Sequence, residues 1–332
     1  MTVDDPQTQE RIYVERVIPR ISLNDCENRR EEIKEQLYAA AIRSGFFTLC
    51  EQEFPSKKDI EEIFELSKVF FDYPMDLKMK TPHQKLLNTG YESATQIRPS
   101  TGTADQKESI QLQYHRFNEN WPAEEDVGEE WREKTREFML KCQKLSCFVM
   151  GLFAEALGYP EDFFSKAHDI EQPTAQTTLR LLHYFDCTGK AFEGNYWRAG
   201  PHTDFDSLTL LFQRTGDHGL EICPGRDAHT DFGYNDAWTA VPSRTGDIVI
   251  NIGDMLMSWS DDMLKSNFHR VRLPNVGENQ KDRYTVAFFN QANTDVVIQG
   301  PQKKYPPTTG RQFIEDAMRR NFERLQELQN SE

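Results

Sequence analysis

From Thr177 to Ile298 the chain breaks into eight strand-length, β-rich runs separated by turn residues. They are Thr177 to Phe185, Ser207 to Phe212, Leu220 to Cys223, Trp238 to Val241, Asp247 to Ile252, Phe268 to Leu273, Tyr284 to Asn290 and Asp295 to Ile298. Short strands repeated at turn-punctuated intervals bury their apolar faces best as two packed sheets, so this half is expected to form a jelly roll, a double-stranded β-helix.

The half before Pro173 reads differently. Val17 to Leu23 is a short strand, with Asn24 and Asp25 as cap candidates for a helix carrying Ile33, Leu37 and Ala41 on one face and ending near Gly45. Phe46 to Leu49 is strand-like, and Ser56 to Phe71 has helical spacing, with Pro74 as a stop. Leu86 to Asp126 lacks periodicity and is expected to be a long irregular segment covering a site. Trp131 to Leu157 is the longest helical pattern, and Gly310 to Gln329 is an amphipathic helix through Phe313, Ala317, Phe322 and Leu325. The expected organisation is therefore a polar leader (1–16), a helical and strand region (17–172), a mainly β catalytic jelly roll (173–300) and a C-terminal helix (301–332), with the two halves sharing one core.

At 332 residues the chain needs no disulfide or structural metal to build a core. Its 54 acidic residues against 39 Lys and Arg give a formal charge of -15, which repels phosphate backbones and anionic membranes, so neither is an expected partner. The opening residues are polar, without an apolar leader region, and the expected location is cytoplasmic. Six cysteines scattered without metal-like spacing suit a reducing compartment and packing roles.

The chemical signal is Pro201-His202-Thr203-Asp204 with His269 downstream. Residues i and i+2 of an extended segment point to one side, so His202 and Asp204 can converge while a distant strand brings His269. Two imidazoles and a carboxylate on one octahedral face leave three positions open, the set that suits Fe(II) when oxygen and a second ligand must both bind. Further on, Arg283 and Thr285 share one face of an apolar strand. A buried guanidinium there is costly unless an anion pairs with it, and a carboxylate meets that need. Of the other histidines, His83, His115, His168, His218 and His229 read as solvated side chains, while His183 is ambiguous.

An isolated His-x-Asp is weak, but its surroundings are specific. His202 to Phe212, Gly219-Leu220-Glu221-Ile222, Trp238, Asn251-Ile252-Gly253-Asp254, Lys265 to Val271 and Arg283 to Phe289 follow one another as in a known family. In order and spacing the chain resembles the isopenicillin N synthase-like 2-oxoglutarate/Fe(II)-dependent dioxygenases, whose core is a cupin-like double-stranded β-helix. The resemblance extends more loosely upstream through Ile18-Pro19, Gly45-Phe46-Phe47, Pro74, Lys78 and Gly90-Tyr91. It implies that His202, Asp204 and His269 are iron ligands, and that Arg283 and Thr285 grip the distal carboxylate of 2-oxoglutarate, threonine standing where serine is usual. Arg180 to Phe185 aligns with a family segment in which Tyr184 is the retained co-substrate contact, although Leu182 replaces a common asparagine.

The activity so implied is oxidation of an aliphatic C-H by O2, with 2-oxoglutarate converted to succinate and CO2. The product is an alcohol, an alkene or a ring, and the substrate a small organic molecule such as a secondary-metabolite intermediate. Candidate substrate contacts are Tyr91, Gln111, Gln113, Phe185, Trp197, Arg198, Phe205, Phe289 and Gln291. Two alternatives stay open at this point: an Fe(II) oxidase of the same fold that does not use 2-oxoglutarate, and a non-catalytic module that binds a small molecule.

Overall fold

The computed structural model describes residues 13–190, 196–224, 236–275 and 277–331, so that residues 1–12 of the leader, and His229, lie outside it. In chain order the elements are β1 (Arg20–Ser22), α1 (Arg30–Arg43), β2 (Phe46–Cys50), α2 (Lys57–Asp72), α3 (Met75–Lys78), β3 (Gly90–Ser93), β4 (Lys107–Leu112), α4 (Glu124–Val127), α5 (Glu129–Ala156), α6 (Asp162–Ser165), β5 (Thr178–Tyr184), β6 (Ala199–His202) and β7 (Leu208–Gln213). There follow β8 (Leu220–Cys223), β9 (Thr239–Ala240), β10 (Ile248–Ile252), α7 (Asp254–Trp259), β11 (Phe268–Val271), β12 (Arg283–Asn290), β13 (Val297–Ile298), β14 (Thr308–Thr309) and α8 (Gly310–Ser331).

Two sheets face each other. The major sheet has the order β1-β2-β10-β7-β12-β5-β4-β3 and the minor sheet β6-β11-β8-β9, the double-stranded β-helix expected. Period-2 alternation divides each central strand between two environments. Leu208, Leu210 and Phe212 of β7, Ile248, Ile250 and Ile252 of β10, and Tyr284, Val286 and Phe288 of β12 join the large core under the helices. The alternate positions, among them Val249, Ala287, Leu182 and Tyr184, pack in a smaller cluster with Ala199, Leu220, Ile222 and Val271 of the minor sheet. The functional groups therefore have to come from this inner face.

The helices hold the major sheet from outside. Along α5, Phe138, Cys142, Leu145, Val149 and Leu152 are buried at three- and four-residue intervals, and Phe138 meets Phe212 edge-on at 5.1 Å between centroids. Burying each such apolar side chain stabilises the fold by about 1.5 to 3 kcal/mol. Helix α2 starts with a capping box: Asp59 N–H donates to Ser56 Oγ, and Ser56 N–H donates to Asp59 Oδ2 at 2.7 Å. The large core draws on both halves of the chain.

Several local expectations need correction. Helix α1 begins at Arg30, without a side-chain cap; Asp25 instead takes φ +53° in a preceding turn, and its carbonyl accepts the Arg29 N–H at 3.1 Å. The Leu86 to Asp126 stretch contains β3 and β4. Strand β4 escapes an apolar-period test because its buried positions include Lys107, Glu108, Ser109 and Gln111, whose polar groups are satisfied by partners instead. Strand β6, Ala-Gly-Pro-His, carries no apolar signature, and β13 pairs with β14 outside the two main sheets. Phe322 is exposed, although Ala317 of the same helix is buried. Within the described residues, no helix is long and apolar enough to cross a membrane.

Candidate active site

His202 closes β6 and His269 lies on β11, and the two are direct partners in antiparallel register. Their ring centroids are 4.2 Å apart. Asp204 follows β6 in an extended segment, its Oδ1 lying 3.8 Å from His202 Nε2 and 3.7 Å from His269 Nε2. Ligand atoms of all three residues lie within 4.8 Å of one another, the only such His, Cys, Asp and Glu grouping among the described residues.

Surrounding hydrogen bonds decide which atoms are free. His202 Nδ1–H donates to the Gly200 carbonyl at 2.7 Å, which leaves Nε2 as a lone pair directed into the cluster. Asp204 Oδ2 accepts from the Thr209 hydroxyl at 2.7 Å and from Asn251 Nδ2 at 2.8 Å, leaving Oδ1 toward the imidazoles. Thr209 and Asn251 are cross-strand partners on β7 and β10, so the major sheet orients a ligand candidate that the minor sheet presents. Burial, then the nearby Arg98 charge, holds His202 well below the usual histidine range; burial also lowers His269, against the opposing pull of Asp204. Neutral imidazoles are the form that binds metal.

The mounting is stiff. Asp254 Oδ1 accepts from the Ser266 hydroxyl at 2.6 Å and Oδ2 from the Thr203 hydroxyl at 2.9 Å, strapping the segment between His202 and Asp204 to the approach of β11. Gly253 is required beside this strap, because a Cβ there would meet the Asp206 carbonyl oxygen at 2.1 Å. On β11, Arg270 is sandwiched between Trp238 and Trp197, at 3.8 and 4.9 Å from the ring centroids, and its Nε donates to Glu221 at 2.7 Å.

Next to the triad lies a small cavity of about 60 Å³, with Tyr184, Leu182, Leu211, Arg283 and Thr285 on its walls. Arg283 is buried over the Tyr184 ring at 4.8 Å, and its Nη2 donates to Gln213 Oε1 at 2.8 Å. Its Nη1 and the Thr285 hydroxyl are buried without a hydrogen-bond partner. A larger cavity of about 420 Å³ opens on the other side of His202 and Asp204, where α8 contributes Ile314, Met318 and Asn321.

Of the residues expected at a substrate site, Gln113, Phe205, Phe289 and Gln291 line this larger cavity. The other five face elsewhere. Tyr91 pairs with Ile110 across β3 and β4 and so points to the helical side, where its hydroxyl donates to Glu108. Phe185 packs edge-on against His183, Trp197 covers Arg270, and Arg198 donates to the Lys281 carbonyl at 2.9 Å. Gln111 stands behind the cavity wall and accepts from Arg180 Nη2 at 2.7 Å. The larger surprise is cationic: Arg98 and Arg180 line both cavities and Lys107 the smaller, none of them singled out from sequence. For Arg180 a signal existed, since it lies on the same face of β5 as Tyr184. Among the histidines, His168 is fully buried and His183 lies between Glu108 at 2.7 Å and Asp282 at 2.8 Å, whereas His218 is exposed as expected.

Residues 177–292 match the model of the 2OG-Fe(II) oxygenase superfamily, and residues 18–133 that of the non-haem dioxygenase in morphine synthesis N-terminal region. A 2-oxoglutarate-dependent dioxygenase of Didymella fabae is 33% identical over 286 residues, covering 80% of this chain and 81% of that protein. The chain belongs to the 2OG-Fe(II) oxygenase superfamily. Proline hydroxylase buaE of Petromyces alliaceus is 29% identical to this oxygenase over 86% of its chain and 89% of the relative. A full-length Neurospora crassa protein, crystallised in complex with alpha-KG, superposes with a TM-score of 0.76 at 26% identity, covering 93% of this chain and 99% of that one.

This oxygenase is accordingly an enzyme that uses Fe(II) and 2-oxoglutarate on small molecules. That removes the two alternatives, the oxidase without 2-oxoglutarate and the non-catalytic module. Its residues fit both groups: two neutral imidazoles and one free carboxylate oxygen converge at one point, and beside them a guanidinium nitrogen and a hydroxyl await an anionic acceptor.

Proposed function

We propose that His202, Asp204 and His269 hold the ferrous ion, that Arg283 and Thr285 bind the distal carboxylate of 2-oxoglutarate over Tyr184, and that the enzyme hydroxylates an aliphatic C-H of a small molecule seated in the 420 Å³ cavity. The observation that carries this reading is the pair of orphaned buried groups, Arg283 Nη1 and Thr285 Oγ1, on the wall of a cavity that leads to the triad. Leaving such groups unsatisfied costs about 1 to 3 kcal/mol each, a cost that a carboxylate at this position removes. Bound iron supplies O2 activation and C-H oxidation, coupled to decarboxylation of 2-oxoglutarate.

The protein's own share is orientation and exclusion of water. Thr209 and Asn251 fix one oxygen of Asp204 so that the other has a single direction. The apolar side chains Leu182, Leu211 and Leu220 on the walls of the co-substrate cavity lower the dielectric around Arg283, which strengthens the guanidinium's grip. Phe205 and Phe289 present flat apolar surface to a substrate in the larger cavity. Hydroxylation is also the chemistry that the Petromyces alliaceus relative's name states.

The test is Arg283→Ala. It is expected to keep the metal and to weaken 2-oxoglutarate binding by about 2 to 5 kcal/mol, measured by equilibrium dialysis of the Mn(II)-loaded protein. Unchanged affinity for the co-substrate would remove Arg283 from the pocket.

A further inference from the structure

The outer cavity has the wrong charge for its chain. The sequence carries 54 acidic residues against 39 basic ones. Yet Lys85, Arg98, Arg116, Arg180 and Arg311 line this cavity and, beyond the ligand candidate Asp204, only Asp206 and Glu315 oppose them among the described residues. Arg98 is engaged by Asp105 at 3.0 Å and Arg116 by Glu119 at 2.7 Å. Arg180 is the deep one. Among the described residues no carboxylate forms an ion pair with it, its Nε is buried without a partner, and its guanidinium carbon lies 5.4 Å from the centre of the Phe289 ring.

Its place in the sheet separates it from the co-substrate's carboxylate grip. Arg180 and Tyr184 share one face of β5, and their partners on β12 are Ala287 and Arg283. Four residues of strand put the two guanidinium-bearing levels about 13 Å apart. Arg283 lines only the small cavity, whereas Arg180 lines both, together with His202 and Asp204. The orientation is built: Arg180 Nη2 is held by Gln111 Oε1 at 2.7 Å, and Gln111 Nε2 is held by Glu92 Oε1 at 3.0 Å.

We infer that the substrate is a monocarboxylic acid with an apolar body, its carboxylate bound by Arg180 and its body lying along Phe289, Phe205 and Met318. A guanidinium whose buried Nε has no partner matches a single anion, and the apolar side chains Phe205, Phe289, Ile314 and Met318 on the same wall match a hydrocarbon body. This inference deepens the proposed function and rests on it.

The test uses the anaerobic enzyme with Fe(II) and 2-oxoglutarate, whose charge-transfer band is recorded first. Lack of that band would sink the proposed function before any acid is added, so the two failures are distinguishable. The complex is then titrated with matched pairs: phenylacetate and phenylacetamide, 4-phenylbutyrate and 4-phenylbutyramide, octanoate and octanamide. Each titration is read as perturbation of the band. Acids are expected to bind about ten- to hundred-fold tighter than their amides. Arg180→Gln should abolish that preference while 2-oxoglutarate affinity and the starting band stay unchanged, and Arg180→Lys should retain part of it. Equal binding of acids and amides, or binding by no member of the panel, would overturn the inference. So would an Arg180→Gln enzyme that loses 2-oxoglutarate, because Arg180 would then serve the co-substrate.

Discussion

His168 lies with its ring near-parallel to Trp259, 6.1 Å between centroids, donating from Nδ1 to the Phe164 carbonyl at 2.7 Å and accepting the Ser207 hydroxyl at Nε2 at 2.8 Å. Burial pulls it down to about 4, because the imidazolium cannot be solvated there. The folded protein thus favours the neutral form. Above the ordinary histidine value of 6.5 both states are neutral and its contribution to stability is complete; between 6.5 and 4 only the unfolded chain takes the proton, and stability falls. The expected loss across that window is about 3 kcal/mol, from the size of the shift. In urea unfolding, the wild type should lose about 3 kcal/mol more than His168→Gln across this range, and parallel profiles would contradict the assignment. Nothing in the sequence around His168 announced this role, since Ala167-His168-Asp169 reads as a polar turn and its apolar neighbours arrive from distant elements. The convergence of His202, Asp204 and His269 was legible because their chemistry is local in type and their spacing matches strand geometry.

At the scale of elements, the turn between α1 and β2 ties the helical layer to the site. Gly45 has φ +67°, and an added Cβ would lie 1.6 Å from the Lys265 carbonyl oxygen. Asn267, two residues before His269, donates to the Ser44 carbonyl at 3.2 Å. Gly45→Ala is therefore expected to cost on the order of 2 to 4 kcal/mol in unfolding free energy and to lower metal affinity with it, as read from denaturant titration and Mn(II) binding. A stable Gly45→Ala protein with normal metal affinity would show that this turn does not position β11. Elements with an apolar period, such as α2, α5, β7, β10 and β12, were legible in the sequence. Those built from paired polar groups or from Ala, Gly and Pro, namely β4 and β6, were not, because tertiary partners supply what periodicity cannot show.

At the scale of the whole molecule, the family's two halves meet around one cavity system: β5 and β12 supply its inner wall, the Lys85 to Arg98 stretch supplies part of its mouth, and α8 leans over it with Ile314 and Met318. Ligands that bind only this assembled state must stabilise it. Mn(II) together with 2-oxoglutarate, each at a hundred-fold excess over its dissociation constant, should each add about 3 kcal/mol to the unfolding free energy. In Arg283→Ala, only the 2-oxoglutarate increment should disappear at the same concentrations, whereas loss of both increments would mean that Arg283 also shapes the metal site. The proposed function requires one triad to hold iron and one adjacent cavity to hold 2-oxoglutarate on it. Its most direct test is anaerobic addition of Fe(II) and then 2-oxoglutarate to the purified wild type and to Asp204→Ala, watching for the weak visible metal-to-ligand charge-transfer band. The band should develop in the wild type and be absent from Asp204→Ala; a wild type that binds iron yet develops no band would contradict the account.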